Sequence, residues 1–168
     1  MNFNGVATAI NYTVNDNNGL VSNSATITVT VTAVNDAPVA SNDSATVNED
    51  TVVTINVTTT DSDVDGTIDV ATVDLDPATA GIQSTFTVAG EGTYTVNNLG
   101  VVSFTPVLNF NGAATPIAYT VNDNNGLVSN SATITVTVTA VNDAPVASND
   151  SATVNEDTVV TILSLIHI

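Results

Sequence analysis

The chain has 168 residues, 17 of them Asp or Glu, with no Lys, Arg or Cys, which gives a formal net charge of −17. Nucleic acids and anionic membranes bind cationic surfaces, so neither is expected as a partner, and no apolar run approaches the roughly 18–20 residues of a membrane-spanning helix. Disulfides, a thiol nucleophile and Lys or Arg ion pairs are also excluded, so repulsion among the carboxylates is relieved only by spacing, salt or a bound cation.

The composition also argues against an enzyme. The only His is His167, so acid–base chemistry would fall to carboxylates, hydroxyls and Tyr. A pair of carboxylates can hydrolyse a glycoside, but acidic clusters in loops are more often solvated or bound to metal. We therefore expect no catalytic residue and no organic cofactor.

The sequence of the first part of the chain is repeated, almost unchanged, near its end. Residues 2–55 match residues 109–162 at 51 of 54 positions when the chain is shifted by 107 residues. The exceptions are Val6/Ala113, Ala9/Pro116 and Asn11/Ala118. A period of 107 residues is the size of a small domain and too long for a solenoid repeat. The sequence therefore predicts a tandem array of near-identical modules.

Two identical Val-Asn-Asp-Ala-Pro segments, residues 34–38 and 141–145, separate the modules. Because Pro cannot donate to a sheet ladder and holds the preceding residue extended, each segment is expected to be a stiff linker. The linkers divide the chain into the end of one module (1–36), a complete module (37–143) and the first strands of a further module (144–162). Since residues 1–36 lack the rest of a core, we expect them to fray or to exchange with the equivalent strands of the complete module.

The complete module alternates apolar and polar residues with a period of two. Ile134, Val136 and Val138 share one face of a segment whose other face carries Thr. Similar alternation marks residues 53–57, 86–88, 94–96, 102–104 and 117–121. Gly and Asn clusters separate these segments roughly every 8–12 residues, which is typical of a sandwich, and no segment has a helical period. We predict an all-β, immunoglobulin-like Greek-key β-sandwich of seven to eight strands.

Two of the three repeat mismatches agree with this assignment. Ala118 falls between the inward-facing Ile117 and Tyr119, so it lies on the outer face, where either Ala or Asn is tolerated. Pro116 lies at the start of a strand, where the missing N–H of Pro costs little.

Six of the 17 acids lie between residues 61 and 76. The first four are Asp61, Asp63, Asp65 and Asp69. With Gly66 permitting a sharp turn, their spacing matches the first nine positions of an EF-hand loop, which wraps hard oxygens around Ca²⁺. The twelfth position is Thr72 instead of Glu, however. Three interpretations stay open: a self-contained EF-hand loop, a solvated turn between strands, and a metal site shared with other segments.

The repeat breaks abruptly after Ile162. Leu163 stands where Asn56 predicts Asn, and residues 163–168 form an apolar segment. This segment resembles the translation of a transposon-end adapter used in sequencing libraries. We expect residues 163–168 to be a sequencing artefact and not part of the module.

The order of motifs resembles the bacterial cadherin-like, immunoglobulin-type repeats of very large surface proteins, also called VCBS-type repeats. Cadherin modules carry an early Glu, a DxD after the second strand, an AxDxG at the end of the sixth strand and a DxNDNAP-like linker. The corresponding segments here are 48–50 (Asn-Glu-Asp), 61–63 (Asp-Ser-Asp), 121–126 (Val-Asn-Asp-Asn-Asn-Gly) and the two Asn-Asp-Ala-Pro linkers. The resemblance covers residues 1–162 and implies a cadherin-like β-sandwich in a tandem array.

In cadherins these motifs converge between successive modules and bind Ca²⁺, so the resemblance implies calcium as the cofactor. The ligands that it implies at the first junction are Asn35, Asp36, Asp61, Asp63 and Asp123. Those that it implies at the second junction are Glu49, Asn142 and Asp143. The linkers lack the leading Asp of the cadherin pattern, and residues 109–112 (Asn-Phe-Asn-Gly) replace a DRE-type acidic motif. Fewer or weaker ions are therefore expected. Asp65 and Asp69 are candidates from the acidic loop alone.

We expect a structural stalk segment of a large secreted or cell-surface bacterial adhesin, stiffened where Ca²⁺ bridges carboxylates at the joints between modules. Its partners would be adjacent modules of the same chain, with cell-surface or matrix glycans reached through other domains and no direct membrane insertion. The alternative is a carbohydrate-binding accessory module of a secreted multidomain protein. Sugar sites usually need exposed aromatic rings, whereas the three Tyr and four Phe fall mostly on inward-facing positions.

Overall fold

The computed structural model of the chain describes residues 3–162 and the backbone of residues 166–167. The expected artefact, residues 163–168, lies outside the described residues apart from that backbone pair. The strands are β1 (Gly5–Val6), β2 (Ile10–Tyr12), β3 (Ala25–Ile27), β4 (Thr30–Val31), β5 (Asp43–Asn48), β6 (Val53–Asn56), β7 (Ile68–Asp74), β8 (Thr85–Val88), β9 (Gly92–Val96), β10 (Val101–Pro106), β11 (Gly112–Ala113), β12 (Ile117–Asp123), β13 (Ala132–Thr139), β14 (Val146–Ala147) and β15 (Ile166–His167). One 3₁₀ turn, Val57–Thr59, follows β6. No helix among the described residues is long and apolar enough to cross a membrane.

Strands β5 to β13 form two sheets around one core. One sheet has the order β6-β10-β9-β8, and the other has the order β11-β13-β12-β7, with β5 added in parallel to β13. The chain crosses between the sheets after β5, β6, β7 and β10, as a Greek-key sandwich requires. The predicted all-β sandwich is therefore confirmed. It contains nine strands where seven to eight were expected, the two-residue β11 included.

The core lies on the inward-facing positions that the alternation predicts. Along β13, Ile134, Val136 and Val138 are buried, while the intervening Thr residues are exposed or half-buried. The facing sheet contributes Tyr94 and Phe104, whose ring centroids are 4.5 Å apart. Thr and Val alternate well in such strands because their branched side chains suit a half-buried pleated surface.

The duplicated first segment forms the same local pairs as its copy in the sandwich. Ile10 pairs with Ile27 in the β2–β3 hairpin, as Ile117 pairs with Ile134 between β12 and β13. Without a facing sheet, however, Ile27 is 49% exposed, whereas Ile134 is 0% exposed. The register of the hairpin is therefore set by its own sequence, whereas burial of its side chains requires the facing sheet. The expected fraying or strand exchange of residues 1–36 stays a prediction.

The duplicated last segment, residues 144–162, does not form the strand that its copy forms in the sandwich. Residues 150–155 repeat the sequence of β5, but they form no strand and are exposed. In the sandwich, β5 is held by a six-residue parallel ladder to β13. The same sequence is a strand only where a partner strand accepts its backbone hydrogen bonds.

The two copies of Ile provide a matched pair of substitutions. Ile134→Ala is expected to lower the free energy of unfolding by about 2–5 kcal/mol, because it leaves a cavity in the core. Ile27→Ala should lower it by less than about 1 kcal/mol, because that side chain is already half-exposed. Urea unfolding of both variants measures the difference. Equal losses would contradict the placement of Ile134 inside the core and of Ile27 outside it.

Candidate metal centre

Three segments meet at one end of the sandwich. They are the linker at residues 35–36, the loop 61–67 before β7, and the turn 123–127 after β12. An antiparallel bridge joins Val39 to Ser62 and ties the linker side to the loop. The loop is tied to the turn by the N–H of Asn124, which donates to the Thr67 carbonyl at 2.9 Å. The motifs that cadherins gather at a junction are thus brought together here.

Asp123 is the most buried carboxylate of this end, at 2% exposed. Its Oδ1 accepts the N–H groups of Asn125 and Leu127, both at 2.8 Å, and its Oδ2 accepts the side-chain amide of Asn35. Burial alone would raise the pKa of Asp123, but hydrogen bonds from Asn35 and the 125–127 backbone outweigh burial and lower the pKa below its ordinary value. The carboxylate is therefore held charged and oriented toward the linker.

Asp63 presents one oxygen that no protein group uses. Its Oδ1 accepts the N–H groups of Asp65 at 3.2 Å and Gly66 at 3.0 Å, whereas its Oδ2 is buried and has no hydrogen-bond partner. A Cβ at residue 66 would lie 2.5 Å from Asp63 Oδ2 and 2.8 Å from Asn124 Oδ1. Because Gly66 has no side chain, the oxygens Asp63 Oδ2 and Asn124 Oδ1 can both lie next to its Cα. A side chain at this position would displace at least one of them.

Asp61, like Asp63, has one carboxylate oxygen that accepts hydrogen bonds and one that has no partner. Its Oδ1 accepts the Ser41 N–H at 2.8 Å and the Tyr119 hydroxyl at 2.9 Å, and its Oδ2 is buried without a partner. Burial raises the pKa of Asp61 above its ordinary value, although the hydrogen bonds from Ser41 and Tyr119 act in the opposite direction. An unpaired buried carboxylate oxygen is costly, and a cation would offset that cost.

The Tyr119 hydroxyl is surrounded by more acceptors than it can satisfy. It lies within hydrogen-bond distance of the Ser41 carbonyl (2.8 Å), Asp43 Oδ2 (3.2 Å) and the Val57 carbonyl (3.3 Å), in addition to Asp61. A phenol has one proton to donate. Burial and the two neighbouring carboxylates raise the pKa of Tyr119 well above its usual range. This end of the sandwich is therefore rich in oxygen lone pairs and short of positive charge.

Of the three remaining acidic candidates near the first linker, Asp36 and Asp65 lie together, whereas Asp69 lies apart. The Asp36 N–H donates to Asp65 Oδ1 at 3.2 Å, and both residues line a small cavity of about 230 Å³ between the first segment and the loop. Asp69 lies in β7, where its Oδ1 accepts the N–H of Ala71 at 3.2 Å. The structure thus places Asp36 and Asp65 together at the joint, whereas Asp69 turns back onto its own strand.

The residues implied for the second junction share a depression at the other end of the module. Glu49 is nearly buried, and its carboxylate accepts the Val141 N–H and, at 3.3 Å, the side-chain amide of Asn111. The depression has a volume of about 510 Å³, and its lining includes Glu49, Asn142 and Asp143. The early Glu and the second linker are therefore brought together.

The donors at the first joint fit a hard, oxygen-binding cation. Within residues 3–162, no three or more His, Cys, Asp or Glu side chains are grouped closely enough to hold one metal ion. Ca²⁺, however, also takes amide, backbone-carbonyl and water oxygens. Asp61 Oδ2 and Asp63 Oδ2 are buried and unpartnered, and Asn124 Oδ1 lies beside Asp63 over Gly66. Together with Asp123 and the linker amide of Asn35 that it binds, these three residues are the groups that would hold the ion.

The acidic segment does not form an EF-hand loop. Its eighth residue, Ile68, already begins β7, and its twelfth, Thr72, uses its hydroxyl to accept the Asn122 N–H at 2.8 Å. That contact supports the bulge where β12 shifts register against β7. The segment is a seven-residue loop followed by a strand, so any ion here needs ligands from other segments.

Several residues at the two ends of the module were missed by reasoning from the sequence. Asn124 and Asn125 belong to the 121–126 motif, so the motif itself could have indicated them. Tyr119 was assigned only to the core, and no local pattern indicates that its hydroxyl reaches Asp61, 58 residues earlier. Asn111 was noted only as a departure from an acidic motif, although it contacts Glu49.

Residues 35–140 match the family model described as the bacterial cadherin-like domain. The matched range begins at the first linker and ends just before the second. No curated protein matches the chain significantly.

The raised pKa values of Asp43 and Asp61 predict how pH affects the calcium-free chain. Because burial raises both values above the ordinary 3.8, the folded state takes up protons before the unfolded state does. The free energy of unfolding should therefore rise as pH falls from neutral toward 3.8. Below 3.8 it should fall again, because the lowered pKa of Asp123 acts in the opposite sense.

Thermal unfolding over a pH series in the presence of a chelator measures this dependence. Asp43→Asn should reduce the rise between neutral pH and 3.8, whereas Asp150→Asn should not. Asp150 is the exposed copy of Asp43, so it is a matched control. A melting temperature that stays constant or falls over this interval would show that these carboxylates are not destabilised by burial.

Proposed function

The chain belongs to the bacterial cadherin-like domain family, and on that premise we propose that it is a stalk segment of a large secreted or cell-surface bacterial adhesin. It is an adhesin-type repeat module. Domains of this family are generally structural or adhesive and not enzymatic, are usually extracellular, and typically bind calcium. The stalk role, its extracellular location and the stiffening by calcium are our proposals for this chain.

The tandem arrangement is supported by the repeat itself. The 107-residue offset brings the two linkers into register, and the copied hairpin forms the same backbone pairs as its counterpart. A stalk of near-identical units gains length without needing a different fold for each unit. Adjacent modules of the same chain would then be its main partners.

The observation that carries the calcium proposal is the pair of buried, unpartnered oxygens of the DxD motif. Asp61 Oδ2 and Asp63 Oδ2 lie at the end of the module that the linker contacts through Asn35. The chain supplies no Lys or Arg to neutralise them. A divalent cation bound there would join the loop, the turn and the linker, and would make a flexible joint stiff.

The affinity needed for this role is low. Extracellular calcium modules typically bind with dissociation constants of about 10⁻⁴–10⁻³ M. At a calcium concentration ten times the dissociation constant, one site adds about 1.4 kcal/mol to the free energy of unfolding. The joint would therefore stiffen outside cells, where calcium is millimolar.

The carbohydrate-binding alternative has less support. Two of the three Tyr, Tyr94 and Tyr119, are fully buried in the core, so they present no ring to a sugar. No contact described above favours a glycan site, and this alternative stays a prediction.

Calcium is expected to raise the melting temperature of the chain and to lengthen it in solution, compared with the same chain in a chelator. Asp123→Asn should remove most of both effects. Asp16→Asn should leave both in place, although Asp16 accepts the same two backbone N–H groups in its own turn. Asp16 is the copy of Asp123 that has no DxD loop beside it, so it controls for loss of the turn.

Calorimetry measures the stability effect, and small-angle scattering measures the length. The proposal is contradicted if calcium changes neither the melting temperature nor the radius of gyration of the unsubstituted chain. Equal loss of the calcium effect in Asp123→Asn and Asp16→Asn would place the ion outside this joint.

A further inference from the structure

A groove runs along the side of the sandwich, between the loop that joins β7 to β8 and the first residues of β12. Its volume is about 520 Å³, within the range of roughly 300–1,000 Å³ that binding pockets occupy. Leu75 and Ile117 are nearly buried beneath it, and Phe86 is half-buried beside them. Two exposed rings, Pro77 and Pro116, also line it. We call it the β7–β8 groove.

The β7–β8 groove is separate from the calcium joint. It contacts the start of β12, at Ile117, whereas the joint uses the end of β12, at Asp123. A strand of seven residues places these ends about 20 Å apart. The groove is also made by the module itself, because its lining residues all lie between 75 and 131.

The two copies of the repeat differ chiefly at this groove. Of the three mismatches in 54 compared positions, two fall on lining residues, Pro116 and Ala118. Only five of the compared positions line the groove: Thr115, Pro116, Ile117, Ala118 and Ser131. Core and joint residues are identical between the copies over the same range. Two of the three differences between the copies therefore lie on the wall of the groove, outside the core and outside the joint.

The edge of the groove is acidic. Asp76 is one of its lining residues. Thr115, another lining residue, holds the Glu91 carboxylate through its N–H at 2.6 Å and its hydroxyl at 2.8 Å. An apolar floor with carboxylates at its edge matches a ligand that combines an apolar group with a positive charge.

Charge decides between a second copy and a different partner. Every copy of this chain carries a net charge of −17 and has no Lys or Arg. A second copy would therefore bring carboxylates against Asp76 and Glu91 and be repelled. A chemically different, cationic partner is attracted by the same charges.

We propose that the β7–β8 groove docks an extended segment of a partner protein in which a bulky aliphatic side chain stands next to Lys or Arg. The aliphatic side chain packs against Pro77, Phe86 and Pro116, and the cation reaches the carboxylate of Asp76. A protein segment supplies both groups at a fixed spacing along one backbone.

The proposal also makes the modules of the array unequal. In the other copy, Ala9 and Asn11 replace Pro116 and Ala118, and Asn11 accepts a hydrogen bond from Thr26 at 3.0 Å. The change from Pro to Ala removes a ring from the groove wall, and the change from Ala to Asn adds a polar amide. Modules of the second kind therefore bind the segment more weakly.

The test uses the ¹⁵N-labelled full chain, with calcium present to occupy the joint, and blocked tripeptides as probes. Leu-Arg-Leu should give saturable amide shifts at residues 75–78 and 115–118, with a dissociation constant in the millimolar range. Leu-Glu-Leu tests the apolar groups without the cation, and Gly-Arg-Gly tests the cation without the apolar groups. Both controls should shift these residues much less.

Substitutions then locate the contact. Ala118→Asn should weaken binding of Leu-Arg-Leu at least about threefold, which corresponds to roughly 0.65 kcal/mol, and the matched control Asn11→Ala should leave it unchanged. Asp76→Asn should weaken it too and reduce its dependence on salt. The proposal is overturned if the groove amides do not shift, if the control peptides shift them equally, or if Ala118→Asn binds as before. None of these outcomes bears on the calcium joint, which the melting temperature tests separately.

Discussion

The structure is governed by an excess of oxygen acceptors over positive charges. The chain carries 17 carboxylates and no Lys or Arg, and at the joint end this shortage becomes local. One phenol hydrogen, that of Tyr119, faces two carboxylates and two backbone carbonyls. Two further carboxylate oxygens, Asp61 Oδ2 and Asp63 Oδ2, are buried without a donor. The polypeptide folds around these groups but supplies no positive side chain to neutralise them, which is the basis of the proposal that a cation binds there.

The core and the joint share one residue. The ring of Tyr119 is buried with the hydrophobic core, while its hydroxyl contacts Asp61. Packing of the two sheets therefore sets the position of the Asp61 carboxylate, and an ion held by that carboxylate would act on the stability of the whole sandwich. A cation at the joint would in this way couple the stiffness of the array to the folding of each module, because it relieves a cost that folding creates.

The two ends of β12 lie at two different candidate sites of the module. Its last residue, Asp123, contacts the linker, while its first residue, Ile117, lies beneath the β7–β8 groove. The residues of the joint are identical wherever the two copies overlap, as expected if the joint has the same role in each module of the proposed array. The groove is bordered by two residues that differ between the copies, so under our proposal changes there would alter binding without altering the joint. A stalk with such modules would carry interaction sites along its length.

The sequence by itself determined the β class and the alternating core positions of β12 and β13, because these depend on neighbours in the chain. It did not indicate that the acidic loop ends where β7 begins, or that residues identical to β5 would lack a strand at 150–155. Only the tertiary structure decided that Asp61 meets Tyr119, that Asp69 turns away from the joint, and that Ile134 is buried while Ile27 is exposed. The reason is physical: periodicity reports which face a side chain takes, whereas burial and the meeting of distant oxygens require a second sheet, which no local pattern contains.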